Sequence, residues 1–317
     1  MGKKDITEKK LEDFTDVFAD IVNVLLFNGD QRVDSRELRN ALPRSIYKIE
    51  GEISEQERDV AKYWQSKDTC FALLGLENQT EAAGNTPLRI ISYDGADYRA
   101  QIRKRDDVIR YNAKAKGEQD KKPMPVFYPV VTLVLYFGLE RWDKSINLKA
   151  CFTIPEGLED YVNDYQINLF EIAFMDDETV EKFRSDFKLV AQYFTQSRKI
   201  KEGNAEEYSL STDDIIHVKE VMELMSALTG DRAFEEAYND SLEGGKIPMW
   251  TLIDYVREKG EKSGFDKGEK SGFEKGEKNK LVKNLQTVMV KMDCSLDQAM
   301  DFLDVSEVER EALREMI

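Results

Sequence analysis

An α/β fold, a mixed sheet flanked by helices and followed by an all-helical extension and tail, is what this sequence predicts. Three observations predict it. The segment PVVTLVLYFG at 129–138 is apolar almost throughout, the mark of a strand covered on both faces. Residues 58–79 read as two extended segments, RDVAKYWQ and TCFALLGLENQ, joined by the polar turn Ser66-Lys67-Asp68, which describes a hairpin. Amphipathic helical patterns with apolar residues three and four apart stand before, between and after these strands.

Taken in order, Leu11, Phe14, Val17, Phe18, Ile21, Val22 and Leu25 form one helical stripe that ends at Asn28-Gly29-Asp30. A strand is expected at 45–51, before the hairpin. A long helix then starts at Pro87, well suited to a first helical position, and runs through Leu88, Ile91, Tyr98 and Ile102 towards Tyr111. Residues 147–153 and 166–173 read as two more strands. Val180, Phe183, Phe187, Val190, Ala191 and Phe194 make one helical stripe, and Ile215, Val218, Val221, Met222 and Met225 another. The expected organisation is a core at 1–200, a helical extension at 201–256, a repeat at 257–280 and a tail of short helices at 281–317.

The repeat, EKGEKSGF-DKGEKSGF-EKGEKNKL, places glycine at 260, 264, 268, 272 and 276. Its i,i+4 acid–lysine pairs contribute about 0.2–0.5 kcal/mol each, whereas each interior glycine costs roughly 1 kcal/mol, so a helix there depends on packing against a second element. A solvated linker is the alternative reading. The tail carries capping boxes at Ser295/Gln298 and Ser306/Glu309, and its last helix, SEVEREALREMI, is too acidic for a DNA groove. Docking or self-association through repeat and tail, most simply as a homodimer, is the expectation.

Composition excludes several chemistries. The chain has 46 Lys+Arg against 62 Asp+Glu, a formal charge of −16 and one histidine, so it cannot assemble a histidine-clustered metal site. Catalysis would rest on carboxylates, amides, lysine or tyrosine. Cys70, Cys151 and Cys294 are far apart and odd in number, which predicts reduced thiols and a cytoplasmic location. No apolar leader opens the chain, no run is long enough to span a bilayer, and neither GxGxxG nor a Walker motif supports a nucleotide cofactor.

Within the hairpin, Glu77 and Gln79 share one strand face while Leu76 and Asn78 share the other. A glutamate in an apolar strand is costly to bury unless it is paired or binds a metal. Asp59 stands at the head of the neighbouring strand, so the two carboxylates can converge on one hard cation, which takes oxygen ligands. Equally, both can pair with Arg58 or Arg89.

The segments ERDVAKYW, ALLGLENQT, PLRIISYDGADYRAQ and YPVVTLVLYFG resemble, in this order, signatures of the Rpn-type recombination-promoting nuclease / putative transposase family of the PD-(D/E)xK superfamily. VNDYQINLFEIA and SDFKLVAQYFTQSRK continue the likeness, which covers roughly residues 5–200. The resemblance implies a PD-(D/E)xK core and a Mg²⁺-dependent DNA endonuclease, with Mn²⁺ as a substitute, linked to recombination or mobile elements. A nuclease-fold interaction protein without strong activity is the alternative it leaves. It implies Asp59, Glu77 and Gln79 as catalytic residues, with Asp59, Glu77 and the Asn78 backbone carbonyl as metal ligands. Gln79 stands where the superfamily more often has lysine. Arg89, Tyr93, Asp94 and Tyr98 on the following helix are further candidates.

DNA requires positive charge that the whole chain lacks. Residues 99–122 hold nine basic and four acidic residues, a net +5, whereas residues 155–187 hold two basic and ten acidic ones. Arg99, Arg103, Lys104, Arg105 and Arg110 are therefore the expected phosphate contacts, against the plainer reading of a solvated helix face.

Overall fold

The computed structural model describes residues 11–41, 44–49, 52–66, 69–115, 117–204 and 215–240, with Leu296, Gln298 and Met300. The chain divides into two compact units, Met1–Ile253 and Asp254–Ile317. The octad repeat and most of the tail lie outside the described residues, as does Cys294.

The expected mixed sheet with flanking helices is present. Five strands, β1 (Leu38–Asn40), β4 (Val60–Ser66), β5 (Thr69–Gln79), β6 (Val130–Tyr136) and β7 (Asn168–Glu171), lie side by side in that order. The first three are antiparallel, and β6 and β7 join β5 in parallel, so the sheet is mixed. Strands β2 (Arg44–Ile49) and β3 (Glu52–Glu57) form a separate antiparallel hairpin. Six helices are described: α1 (Thr15–Phe27), α2 (Thr86–Asn112), α3 (Asp177–Glu181), α4 (Phe187–Lys201), α5 (Val218–Thr229) and α6 (Ala233–Asp240).

The first helix stops where the sequence says, with Asn28 in the left-handed conformation, a state its short polar side chain tolerates. One face of the sheet receives α2: Ile90 and Tyr93 pack with Val134 and Ile167. The opposite face carries α1, where the Lys62 ammonium lies 5.5 Å from the Phe18 ring centre. An aromatic chain links the end of β6 to α4, with Phe137 5.1 Å from Phe194 and Phe183 5.2 Å from Phe187 between ring centres. Apolar burial on both faces is why β6 reads as an unbroken apolar run.

Two expectations need correction, and two strands were not foreseen. Residues 147–153 form a short 3-10 helix, Leu148–Cys151, with a single bridge from Asn147 to Gln166. Asp164 explains it: its carboxylate accepts from Asn147 Nδ2 at 2.7 Å and from the Lys149 amide at 3.0 Å, which replaces a strand ladder. The stripe at 180–194 is two helices, not one. Asp20 on α1 accepts the Arg184 and Ser185 amides at 2.8 and 2.7 Å and holds the intervening turn. Finally, β1 and β3 carry too few apolar residues to be seen by alternation.

Candidate functional site

The site grows out of the point where β4 and β5 part. Their pairing starts at Val60 opposite Leu76, so the last three residues of β5 extend past the end of β4. Glu77 pairs with Val134 of β6, and Val134 belongs to the cluster under α2, so Glu77 faces α2 as well. Asn78 points the other way, where its Nδ2 donates to Glu12 at 2.9 Å. The alternation expected from the sequence therefore holds.

Asp59 fills the gap beside the diverging strand. Its Oδ2 accepts the Asn78 amide at 2.7 Å, satisfying a backbone donor that β4 no longer reaches. Gln79 Nε2 donates to the Asn78 carbonyl at 2.8 Å and to Glu77 Oε1 at 3.3 Å. The glutamine amide thus bridges two of the three groups expected to hold a cation.

Glu77 is only 5% exposed, and Arg89 from the first turn of α2 donates to its Oε1. Its Oε2 is buried without a hydrogen-bond partner among the described residues. Burial and the neighbouring Asp59 charge push the Glu77 carboxyl up to about 8, against the opposite pull of Arg89 and Arg58. A buried carboxylate oxygen without a donor, next to a second carboxylate, suits a hard cation. Among the described residues no group of three or more His, Cys, Asp or Glu side chains could hold a metal ion, so the candidate ligands are two carboxylates and a backbone oxygen.

Behind Glu77 lies a layer of buried charge that the sequence did not reveal. Arg58, 2% exposed, donates through Nη2 to Asp94 at 2.9 Å and pairs with Asp97 at 3.1 Å, while its Nε and Nη1 lack hydrogen-bond partners among the described residues. Asp94 also accepts from Thr132 Oγ1 at 2.7 Å and from the Tyr165 hydroxyl. Arg58 lies 5.6 Å from the Tyr93 ring centre. Burial pushes the Tyr93 phenol up to about 12, with Glu77 adding to the shift, so Tyr93 is a neutral donor and not a base at physiological pH.

Of the sequence candidates, the structure gathers Asp59, Glu77, Asn78, Gln79, Arg89, Tyr93 and Asp94 at one end of β5. Tyr98 is not among them. Its hydroxyl accepts the Val130 amide at 3.1 Å, and Val130 pairs with Leu73, four residues before Glu77 and so about 13 Å away along the strand. Asp97, Thr132 and Tyr165 were missed, since only the register brings them together. Lys62 offers no replacement for the lysine expected at position 79: it is buried on the α1 face, donating to the Asp13 carbonyl at 2.8 Å and to Asn40 Oδ1 at 2.7 Å.

Arg99, Arg103, Lys104, Arg105 and Arg110 all lie on α2, beyond the site. Arg110 pairs with Asp107 at 2.6 Å, whereas Arg99, Arg103 and Lys104 make no ion pair among the described residues. A cavity of about 330 Å³ lies elsewhere, lined by Asp16, Asp20, Arg184 and Ser185; there Asp20 is engaged with backbone amides. Among the described residues, no helix is long and apolar enough to cross a membrane.

No curated protein and no solved structure matches the chain. A family model described as "Putative transposase, YhgA-like" matches residues 106–220, from the end of α2 to the start of α5, and leaves out Asp59 and Glu77. Over that stretch the chain is similar to the YhgA-like putative transposases, and its mixed five-stranded sheet with flanking helices is compatible with a PD-(D/E)xK nuclease-like domain.

Proposed function

We propose that this protein is a Mg²⁺-dependent endonuclease that hydrolyses DNA phosphodiesters, with Mn²⁺ able to replace Mg²⁺, in the service of recombination or a mobile element. One observation carries the reading: a buried glutamate oxygen with no donor among the described residues, beside a second carboxylate, on the strand end to which the resemblance assigns the motif. Asp59, Glu77 and the Asn78 carbonyl are the residues that would hold the cation, which would neutralise phosphate charge and acidify a bound water.

The chain's own residues supply the rest. Arg89, about a third exposed while in contact with Glu77, has the reach to bond a phosphate oxygen and brings the positive charge that Gln79 lacks. Gln79 bonds the Asn78 carbonyl, whose second lone pair remains for a cation, and its amide is placed to orient water or phosphate. Arg58, fixed by Asp94 and Asp97, is a permanent positive charge behind Glu77 that favours its ionised form. Free Cys70 and Cys151 accord with the proposed cytoplasmic location.

Plasmid nicking by purified protein in Mg²⁺ or Mn²⁺, beside Asp59→Ala and Glu77→Ala, tests the proposal. Nicking by the wild type and its loss in both variants is the expected result; equal nicking in all three means contamination and removes the enzyme. A second reading, an interaction protein that keeps the nuclease fold, draws on Gln79, whose amide already bonds the Asn78 carbonyl and Glu77 Oε1. Calorimetric titration with Mg²⁺ separates the two, because that reading predicts no binding heat sensitive to Glu77→Ala.

A further inference from the structure

The last three turns of α2 have little core to pack against. From Ile102 onward nearly every residue is exposed or half-exposed, and what braces the helix is the returning segment 117–128. Three sets of bonds fasten that segment to it. Gln101 exchanges two hydrogen bonds with the Tyr128 backbone at 3.1 and 3.0 Å. Asn112 does the same with Lys122 at 2.8 Å each. Arg105 donates to the Pro125 carbonyl at 3.2 Å. The result is a braced, basic arm on a chain whose net charge is −16.

Two aromatic rings on this arm are each paired with a cation. The Arg105 guanidinium lies 5.0 Å from the centre of Phe127, and the Lys122 ammonium 4.3 Å from the centre of Tyr111. Phe127 remains 51% exposed and Tyr111 47%, so much of each ring faces water. Such rings forgo the burial that stabilises a large apolar side chain. Arg105 and Tyr111 are six residues apart, about 9 Å of rise along the helix axis.

We infer that this arm binds single-stranded nucleic acid, with unpaired bases stacking on Phe127 and Tyr111 and phosphates held by Arg103, Lys104 and Arg105. The inference rests on the nuclease reading only for the purpose of the binding, since α2 also carries Arg89 into the site. Rings interleaved with cations suit unpaired bases, whose faces are free, and not a duplex, whose bases are already stacked. Cations beside the rings draw the phosphate backbone to the same place.

The test is fluorescence anisotropy of the full chain with a labelled oligothymidylate and with a hairpin duplex, in EDTA so that cleavage plays no part. The oligothymidylate should bind more tightly than the duplex. Tyr111→Leu and Phe127→Leu, which keep apolar bulk but lose the aromatic face, should each weaken binding about tenfold without changing its salt dependence. Charge reversal at Arg103, Lys104 and Arg105 should flatten the log–log salt slope by about 0.7 per lost contact. Both rings are exposed, so an unchanged melting temperature will show that the variants fold. Equal or tighter duplex binding, or indifference to both ring substitutions, overturns the inference. Parallel nicking assays keep the two proposals separate: nicking that depends on Glu77 with ring-independent binding rejects the arm alone, and ring-dependent binding without nicking rejects the nuclease alone.

Discussion

Arg58 lies across β5 at Gly75: a β-carbon there would stand 2.5 Å from Arg58 Cδ and 2.8 Å from its Nη1. Gly75 is two residues from Glu77 and on the same face, so the missing side chain opens the channel through which the guanidinium reaches Asp94 and Asp97 behind the site. Gly75→Ala should therefore expel Arg58 and leave two carboxylates without their partner. A loss of about 3 kcal/mol is expected, the usual scale for breaking a buried ion pair. Urea denaturation measures it, and an unchanged midpoint would show that Arg58 can be moved at little cost.

Glu77 sets a pH dependence whose sign follows from its raised pKa. The unfolded chain loses this proton near the ordinary 4.5, while the folded protein keeps it to about 8. Stability from this group is therefore complete below about pH 4.5 and declines as pH rises towards 8. Glu77→Gln retains the shape without the charge. Without divalent cation it should be more stable than the wild type at pH 8, by about 2 kcal/mol, with the gap closing near pH 4.5. Mg²⁺ should raise the melting temperature of the wild type at pH 8 and leave the variant alone. Parallel pH profiles for the two proteins would show that Glu77 is ionised at no cost.

Gly95 sits inside α2 with nothing within 4 Å of where its β-carbon would be. Helical glycine costs conformational entropy, and here no close approach within the described residues requires it. Gly95→Ala is expected to stabilise the fold by about 0.5–1 kcal/mol in thermal melts. A lower melting temperature would mean that the position is crowded by something outside the described residues.

Local pattern carried most of the sheet into view. The 58–79 hairpin, the buried β6 and the long α2 were legible because alternation, an apolar run and a 3.6-residue period each extend over seven or more residues. The 147–153 segment misled because Asp164, eleven or more residues further on, captures its backbone. Asp20 likewise splits α3 from α4 across more than 160 residues, beyond any periodicity. At the site, Asp59, Glu77 and Gln79 could be placed from strand alternation and family likeness. The cage of Arg58, Asp97, Thr132 and Tyr165 could not, because register across three strands and a helix brings these residues together.

Self-association through the C-terminal unit is the last expectation. Asp254–Ile317 is a compact unit distinct from Met1–Ile253. Within it, five glycines four residues apart drift by about 40° per step on a 3.6-residue helix, so they stay on one side long enough to line a close contact. Without such a contact, their cost exceeds the gain from the acid–lysine pairs. Helices shorter than about 12–15 residues are also marginal alone in water, so the tail needs a partner surface. A second copy supplies one for both elements at once and would suit an enzyme that cuts two strands. Light scattering should then give a dimer mass for the full chain and a monomer mass for a chain ending at Tyr255. A monomer in both cases would reject self-association and leave the repeat as a solvated linker.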